Sequence, residues 1–354
     1  MHLINGNIIK GHQGKRIYIF SFLIILLLLF FSLDIFLGSV NIRPSDVLNA
    51  FLGHADGNIE TIILKFRIPK AITAILVGIA LSMSGLQMQT IFRNPMAGPY
   101  VLGVSSGASL GVAIVIMGFY SGIAPADLMT FGNWVLTFAA WAGAGAVMML
   151  IMAISARIED VMTILIIGIM LASGLSAIVS IMQYFSSETM LKAYVVWTMG
   201  SLGNLSSGQL HVLTITVTVG TIFSIFLIKL LNAMQMGENY ASSIGLNIRS
   251  ARVLVFICSS ILAGSVTAFC GPIGFIGIAI PHIVRNIFRT SDHKVLVPGS
   301  IIAGGAVMAL CDIISQLPGS ESVIPVNSVT ALIGIPVVIW IVMRNKRVSG
   351  LSDG

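Results

Sequence analysis

Apolar runs of about 20 residues, each long enough to cross roughly 30 Å of hydrocarbon, recur along the chain near 17–37, 70–91, 102–120, 131–154, 161–184, 210–231, 252–270, 272–288, 296–317 and 325–343. The pattern predicts an all-α polytopic membrane protein with about ten transmembrane helices, read as a single domain over 1–354. Two stretches break it with proline and glycine, RNPMAGPYVLGVSSGASLG (93–111) and GPIGFIGIAIPHIVR (271–285). An unpaired backbone N–H or C=O costs several kcal/mol in a bilayer, so a span is broken where protein or a water-filled path takes up the freed groups. Pro95 and Pro99 flank Met96, Ala97 and Gly98, and the residue before each proline is pushed out of the α region. A helix is therefore expected to end near Phe92 and the next to begin around Leu102.

Between the spans lies one long polar insertion, 232–252. Within it Glu238 opens and Gly245 closes a two-turn helix, the acid at the positive end of the dipole and the glycine at the C-terminal cap. Tyr240 and Ile244, four apart, share one face. So short a helix is not stable alone, and either the membrane surface or another protein holds it. A second piece, Ala193 to Met199 with Trp197, is too short to span and reads as an interfacial half-helix. Small residues at Gly103, Gly107 and Gly111, and at Gly264 with Ala268, suit close helix crossings in lipid.

Composition agrees: 56% of the 354 residues are hydrophobic and 9% charged, with a mean hydropathy of +0.99. With the N-terminus inside, 14 of the 19 Lys and Arg residues fall on the cytoplasmic side, and Arg43, Lys65, Arg67, Lys70 and Lys192 on the other. By the preference of basic residues for the side of synthesis, both termini are cytoplasmic. The net charge of +6 then reflects topology, and no nucleic-acid partner is expected. The first run exceeds a signal-peptide core and no A-x-A site follows it, so a retained first span is expected. The outer cluster Lys65, Arg67 and Lys70 runs against the trend, and suits either an acidic partner or outer headgroups reached by snorkelling.

The chemistry is sparse. No phosphate-binding loop is present, so the chain is not expected to hydrolyse ATP, and no cofactor is implied. The three cysteines, Cys258, Cys270 and Cys311, read as packing residues, and the six histidines show no ligand spacing, so no metal site is expected. Asp34, His282 and Asp312 are the membrane-embedded ionisable groups. A stand-alone proton-coupled carrier with Asp312 and His282 as relays is the competing reading.

The runs at 67–111, 236–248 (MGENYASSIGLNI), 271–285, 292–312 and 324–342 (IPVNSVTALIGIPVVIWIV) resemble the FecCD family, the permease subunits of ABC importers for iron–siderophores, haem and vitamin B12. The resemblance implies a permease rather than an enzyme, in a bacterial inner membrane, working as one of two copies, a homodimer here. Separate ATPase subunits sit on the cytoplasmic side and an extracytoplasmic (periplasmic) binding protein delivers the cargo, with an iron–siderophore favoured over cobalamin or haem. It implies docking of that protein at Arg67 and Lys70 of Arg67-Ile68-Pro69-Lys70. The family's further docking arginine, shortly after the aspartate of the ninth span, is Gln316 here. A cytoplasmic gate is implied at Asn94, Pro95 and Met96, with a second element at Val161 and Met162. ATPase coupling falls on Gly237, Glu238, Tyr240, Ala241, Ile244, Gly245 and Leu246. Met170, Ser173 and Gly174 of the fifth span are the expected pathway lining.

Overall fold

The computed structural model describes residues 2–38, 40, 42–118, 133–158, 160–317 and 323–349. The span ends expected at 119–120 and 131–132 lie outside them. Among the described residues fifteen α-helices follow one another: α1 (His2–Phe36), α2 (Pro44–Phe51), α3 (Gly57–Thr61), α4 (Ile68–Ile91), α5 (Val104–Ala113), α6 (Asn133–Ser155), α7 (Val161–Tyr184), α8 (Glu188–Thr198), α9 (Ser207–Phe226), α10 (Ile228–Met236), α11 (Glu238–Ser243), α12 (Ile248–Cys270), α13 (Ile276–Phe288), α14 (His293–Ser315) and α15 (Val326–Ser349). Two π-helical turns, Ile62–Arg67 and Ile114–Gly118, lead into α4 and extend α5. Among the described residues, seven helical segments are long and apolar enough to cross a membrane, and Val104–Gly118, Ile276–Phe288 and Val326–Trp340 are shorter apolar helices. The ten expected spans map onto these ten segments.

The boundaries follow local chemistry. Asp160 accepts from the N–H groups of Met162 and Thr163 at the start of α7, and Asn247 from Ser250 at the start of α12. Ser206 and Gln209 form a reciprocal capping box at α9. α4 ends at Phe92 and the next helix starts at Val104, as the prolines require. Three expectations need correction. The span read as 272–288 is helical only from Ile276, because Pro272 and Gly274 lie in an irregular segment and Phe275 adopts φ 67°. The remaining 13 residues reach only about 20 Å at 1.5 Å per residue. The insertion 232–252 begins as the last turn of α10, so Asn232 is helical. Gly264 meets nothing closer than 4.0 Å and is no tight crossing.

Burial sorts the helices into two layers. The apolar windows of α4, α12 and α14 are 78%, 72% and 67% buried, whereas those of α1, α7 and α9 are 17%, 22% and 28%. α4 is the axis, packing on α9, α12, α13 and α14. Its glycines decide how close it comes: a Cβ on Gly78 would overlap the Gly304 carbonyl of α14, and one on Gly85 the Gly277 carbonyl of α13. Gly107 of α5 stands in the same relation to Gly143 of α6. Without a hydrophobic drive between helices in lipid, such backbone contact supplies the packing.

The Gly85→Ala variant is therefore expected to lose about 1–3 kcal/mol of stability through overpacking. Gly145→Ala, where nothing lies within 4 Å, is expected to stay within about 0.5 kcal/mol of the parent. Equilibrium unfolding in mixed micelles measures both.

Candidate functional site

The two ends of α4 carry different chemistry. At the first, the π-helical turn Ile62–Arg67 swings Arg67 back under the end of α1. Its guanidinium donates to the carbonyls of Ile35 (2.9 Å), Phe36 (3.0 Å) and Val40 (2.5 Å). Arg67 is only 7% exposed. Orphan carbonyls at a helix end need donors, and Arg67 supplies them, so its charge is not free at the surface as a docking group requires. Lys70 is partly engaged too, its Nζ lying 3.0 Å from Asp312 Oδ1. Gln316 closes the cluster by donating to Asp34 Oδ1 (2.7 Å) and Asp312 Oδ2 (3.0 Å). The residue that departs from the docking pattern thus bridges two buried carboxyls. Arg43 and Lys65 beside this cluster are exposed. A cavity of about 390 Å³, bounded by Lys70, Asp312, Trp197, Ser201 and Asn204 among others, opens next to it.

At the other end α4 stops at Phe92, and Arg93 turns the chain with φ 44°. Asn94 Oδ1 accepts from the Met96 N–H at 2.9 Å, closing a turn on its own backbone. His282 holds the Pro95 carbonyl through Nε2 at 2.8 Å. It is a hydrogen-bonding residue at the break, at the end of α4 opposite Asp312. Gln89 links this turn to α13, donating to the Ile278 carbonyl (3.1 Å) and accepting from Arg285 (2.6 Å). Met96 is exposed.

A cleft of about 640 Å³ is lined by Phe92, Arg93, Asp160, Val161, Met162 and the run 236–240. The structure thereby brings Val161 and Met162 together with the turn after α4 and with α11. Hydrogen bonds from the Thr163 hydroxyl and N–H, then from Met162, hold the exposed Asp160 carboxyl below its ordinary pKa. Asp292, before α14, is pushed up by burial, but the Lys294 N–H and the Asn232 amide outweigh that and leave it lowered.

α11 is anchored on one side and bare on the other. Gly237, with φ 124° and ψ 145°, turns the chain off α10, a conformation glycine tolerates and other residues do not. Glu238 Oε1 accepts from Arg252 of α12 through Nη2 (2.6 Å) and Nε (3.1 Å). Ala241 is fully buried and Leu246 packs on the core, while Gly245 reverses the chain with φ 85°. Met236, Tyr240 and Ile244 are 70%, 46% and 56% exposed. Met170, Ser173 and Gly174 lie on an uncovered face of α7, and the Ser173 hydroxyl is satisfied by the Ile169 carbonyl at 2.9 Å.

Sequence reasoning missed the polar side chains inside α4. Gln87 donates to Ser224 (2.7 Å) and Cys258 (3.2 Å), and Ser84 reaches the Ser259 carbonyl (3.1 Å). The signal was available, since Gln87, Gln89 and Thr90 are polar letters in an apolar run. Among the described residues no group of three His, Cys, Asp or Glu could hold a metal.

The comparisons bear on this arrangement. The model of the FecCD transport family matches residues 24–344. The chain is 32% identical to the vitamin B12 import system permease protein BtuC of Citrobacter koseri, over 95% of this chain and 97% of that one. It is 31% identical to the hemin transport system permease protein HmuU of Yersinia pestis, over 96% and 98%. A solved inward-facing conformation of an ABC transporter assigned to the metal-chelate type superposes with a TM-score of 0.78 at 26% identity, covering 93% of this chain and 99% of the other. The chain belongs to the FecCD transport family, as a multi-pass ABC permease that is a transport subunit and leaves ATP hydrolysis to separate ATPase subunits.

Proposed function

We propose that this permease carries a metal chelate, with an iron–siderophore as the cargo, from an extracytoplasmic binding protein into a bacterial cytoplasm. It lies in the inner membrane with both termini cytoplasmic, folds as one domain over 1–354 and works as a homodimer. The observation that carries the reading is the cleft joining α11 to Arg93, Val161 and Met162. A partner pressing on the bare side chains of Met236, Tyr240 and Ile244 would move the wall of that cleft, because Glu238, Ala241 and Leu246 tie the segment to the bundle. ATPase subunits are that partner, and the turn Asn94-Pro95-Met96 with Val161 and Met162 is the cytoplasmic gate. Met170, Ser173 and Gly174 line the path along the face where the second copy stands.

Docking is assigned to the Lys70 end. There Arg67 contributes by holding the carbonyls of Ile35, Phe36 and Val40, and Lys70, with the exposed Lys65, meets acids of the binding protein. Steering by such charges governs encounter. The competing proton-coupled carrier draws no support from the geometry, since Asp312 is paired with Lys70 and His282 serves the Pro95 carbonyl at the opposite end of α4.

Uptake into vesicles separates the two readings. The permease with its ATPase and binding protein is expected to import only with ATP, and the chain alone with a pH gradient to import nothing. Accumulation by the isolated chain would refute the proposal. Fluorescence titration of purified binding protein against ferric siderophore, hemin and cobalamin decides the cargo, and the absence of siderophore binding would overturn that choice.

Two variants address the partners. Lys65→Glu combined with Lys70→Glu is expected to weaken binding-protein association at least about tenfold, read by surface plasmon resonance on nanodiscs. Glu238→Ala strips the counter-charge from Arg252, whose side chain is 4% exposed. With Glu238 itself 29% exposed, a loss of about 1–2 kcal/mol is expected, seen as faster proteolysis within 236–247, while the exposed Asn239→Ala is expected to behave as the parent.

A further inference from the structure

Asn232 sits on α10, five residues before the turn at Gly237, and three polar contacts fix its amide. Its Nδ2 donates to Asp292 Oδ1 at 2.8 Å, and its Oδ1 accepts from the His293 backbone N–H at 2.8 Å. A carboxylate cannot donate and a backbone N–H cannot accept, so the amide has one orientation. Oδ1 also lies 2.7 Å from His293 Nδ1, which must therefore carry the proton. That leaves Nε2 of a neutral ring as an acceptor 2.8 Å from the Thr90 hydroxyl on α4, whose single proton it shares with the Leu86 carbonyl, also 2.8 Å away. His293 is fully buried and Thr90 is 3% exposed. The chain Asn232, His293, Thr90 thus fastens α10 to the start of α14 and the end of α4.

α4 and α14 run antiparallel and meet again at their other ends, where Lys70 pairs with Asp312 at 3.0 Å. Between the two ties, the Gly78 and Gly304 backbones touch. A pair of helices joined at both ends and pressed together midway moves as one body.

We infer that Asn232, His293 and Thr90 are positioning residues that lock the α10–α11 segment onto the α4–α14 pair, so that displacement of α11 is delivered through both helices to the Lys70 end. The inference rests on the reading of α11 as the ATPase contact. A hydrogen-bonded hub of this kind is a physical link that both ends can bias, rather than mere intermediacy in space.

Two measurements test it. Spin labels placed at Ser242 and Lys294 of the full chain in nanodiscs are expected to give one narrow distance distribution, broadened by Asn232→Ala. An unchanged distribution in that variant overturns the lock, independently of any partner. In the complex of permease, ATPase and binding protein, Thr90→Val is expected to keep basal ATPase and binding-protein affinity, yet to lose at least about fivefold of the stimulation by binding protein. Thr90→Ser, which restores the hydroxyl, is expected to recover it. Equal stimulation in the valine variant, or no recovery in the serine variant, refutes the delivery step. Failure of the parent permease to associate with any ATPase would instead remove the reading of α11, with the spin-label distances still deciding the lock.

Discussion

Backbone contact between α4 and its neighbours is the constraint from which the other features follow. Lipid offers helices no gain from burying apolar surface against each other, so association relies on close approach and on hydrogen bonds between helices. Gly78, Gly85, Gly277 and Gly304 permit that approach. Polar side chains on α4 then fall within reach of partners on four other helices: Ser84 with Ser259, Gln87 with Ser224, Gln89 with Ile278, and Thr90 with His293. Each would be expensive to bury unpaired. Because the backbones touch, these side chains reach across the crossings to partners, although the Ser82 hydroxyl and the Gln87 Oε1 on the same helix are buried without one among the described residues.

The same helix separates two surfaces of opposite character. At the Lys70 end the charges are largely used inside the molecule, with Arg67 on carbonyls and Lys70, Asp34, Asp312 and Gln316 in one cluster. At the Arg93 end the short helix α11 and the residues bounding it present Met236, Tyr240 and Ile244 outward from an anchored base. An end that holds its charges internally offers a rigid, weakly polar seat with a few peripheral cations. An end with bare apolar side chains on a six-residue helix offers a knob. The two ends therefore differ in the chemistry they present at the surface.

Much of this was legible in the sequence where the signal is local. The prolines at 95 and 99 end α4, Glu238 and Gly245 bound α11, and the apolar runs place ten membrane-depth segments. What escaped depends on contacts far along the chain. Nothing near Arg67 says that its guanidinium will cap a helix that ended about thirty residues earlier, because that follows from the π-helical turn at Ile62–Arg67 and the return of α1. Gln316 reads as the loss of an arginine, and only its position between Asp34 and Asp312 shows that it satisfies two carboxyls at once. The span expected from Pro272 fails for four residues because hydropathy cannot distinguish an apolar irregular segment from an apolar helix.

α7 meets both the broken segment after Pro99 and the cleft beside α11. Ser173 and Ser180 bond back to the carbonyls of Ile169 and Ser176, so on its uncovered face these two hydroxyls are satisfied within the helix. The first turn of that face, Val161 and Met162, forms a wall of the cleft shared with α11 and Arg93. Farther along, Gly103 of the broken segment approaches Gly168 and Ala172. α7 is thus fastened near its middle, through Gly168 and Ala172, to the chain that follows Pro99, while Met170, Ser173 and Gly174 stand on its other, uncovered side and Met162 stays exposed at the cleft.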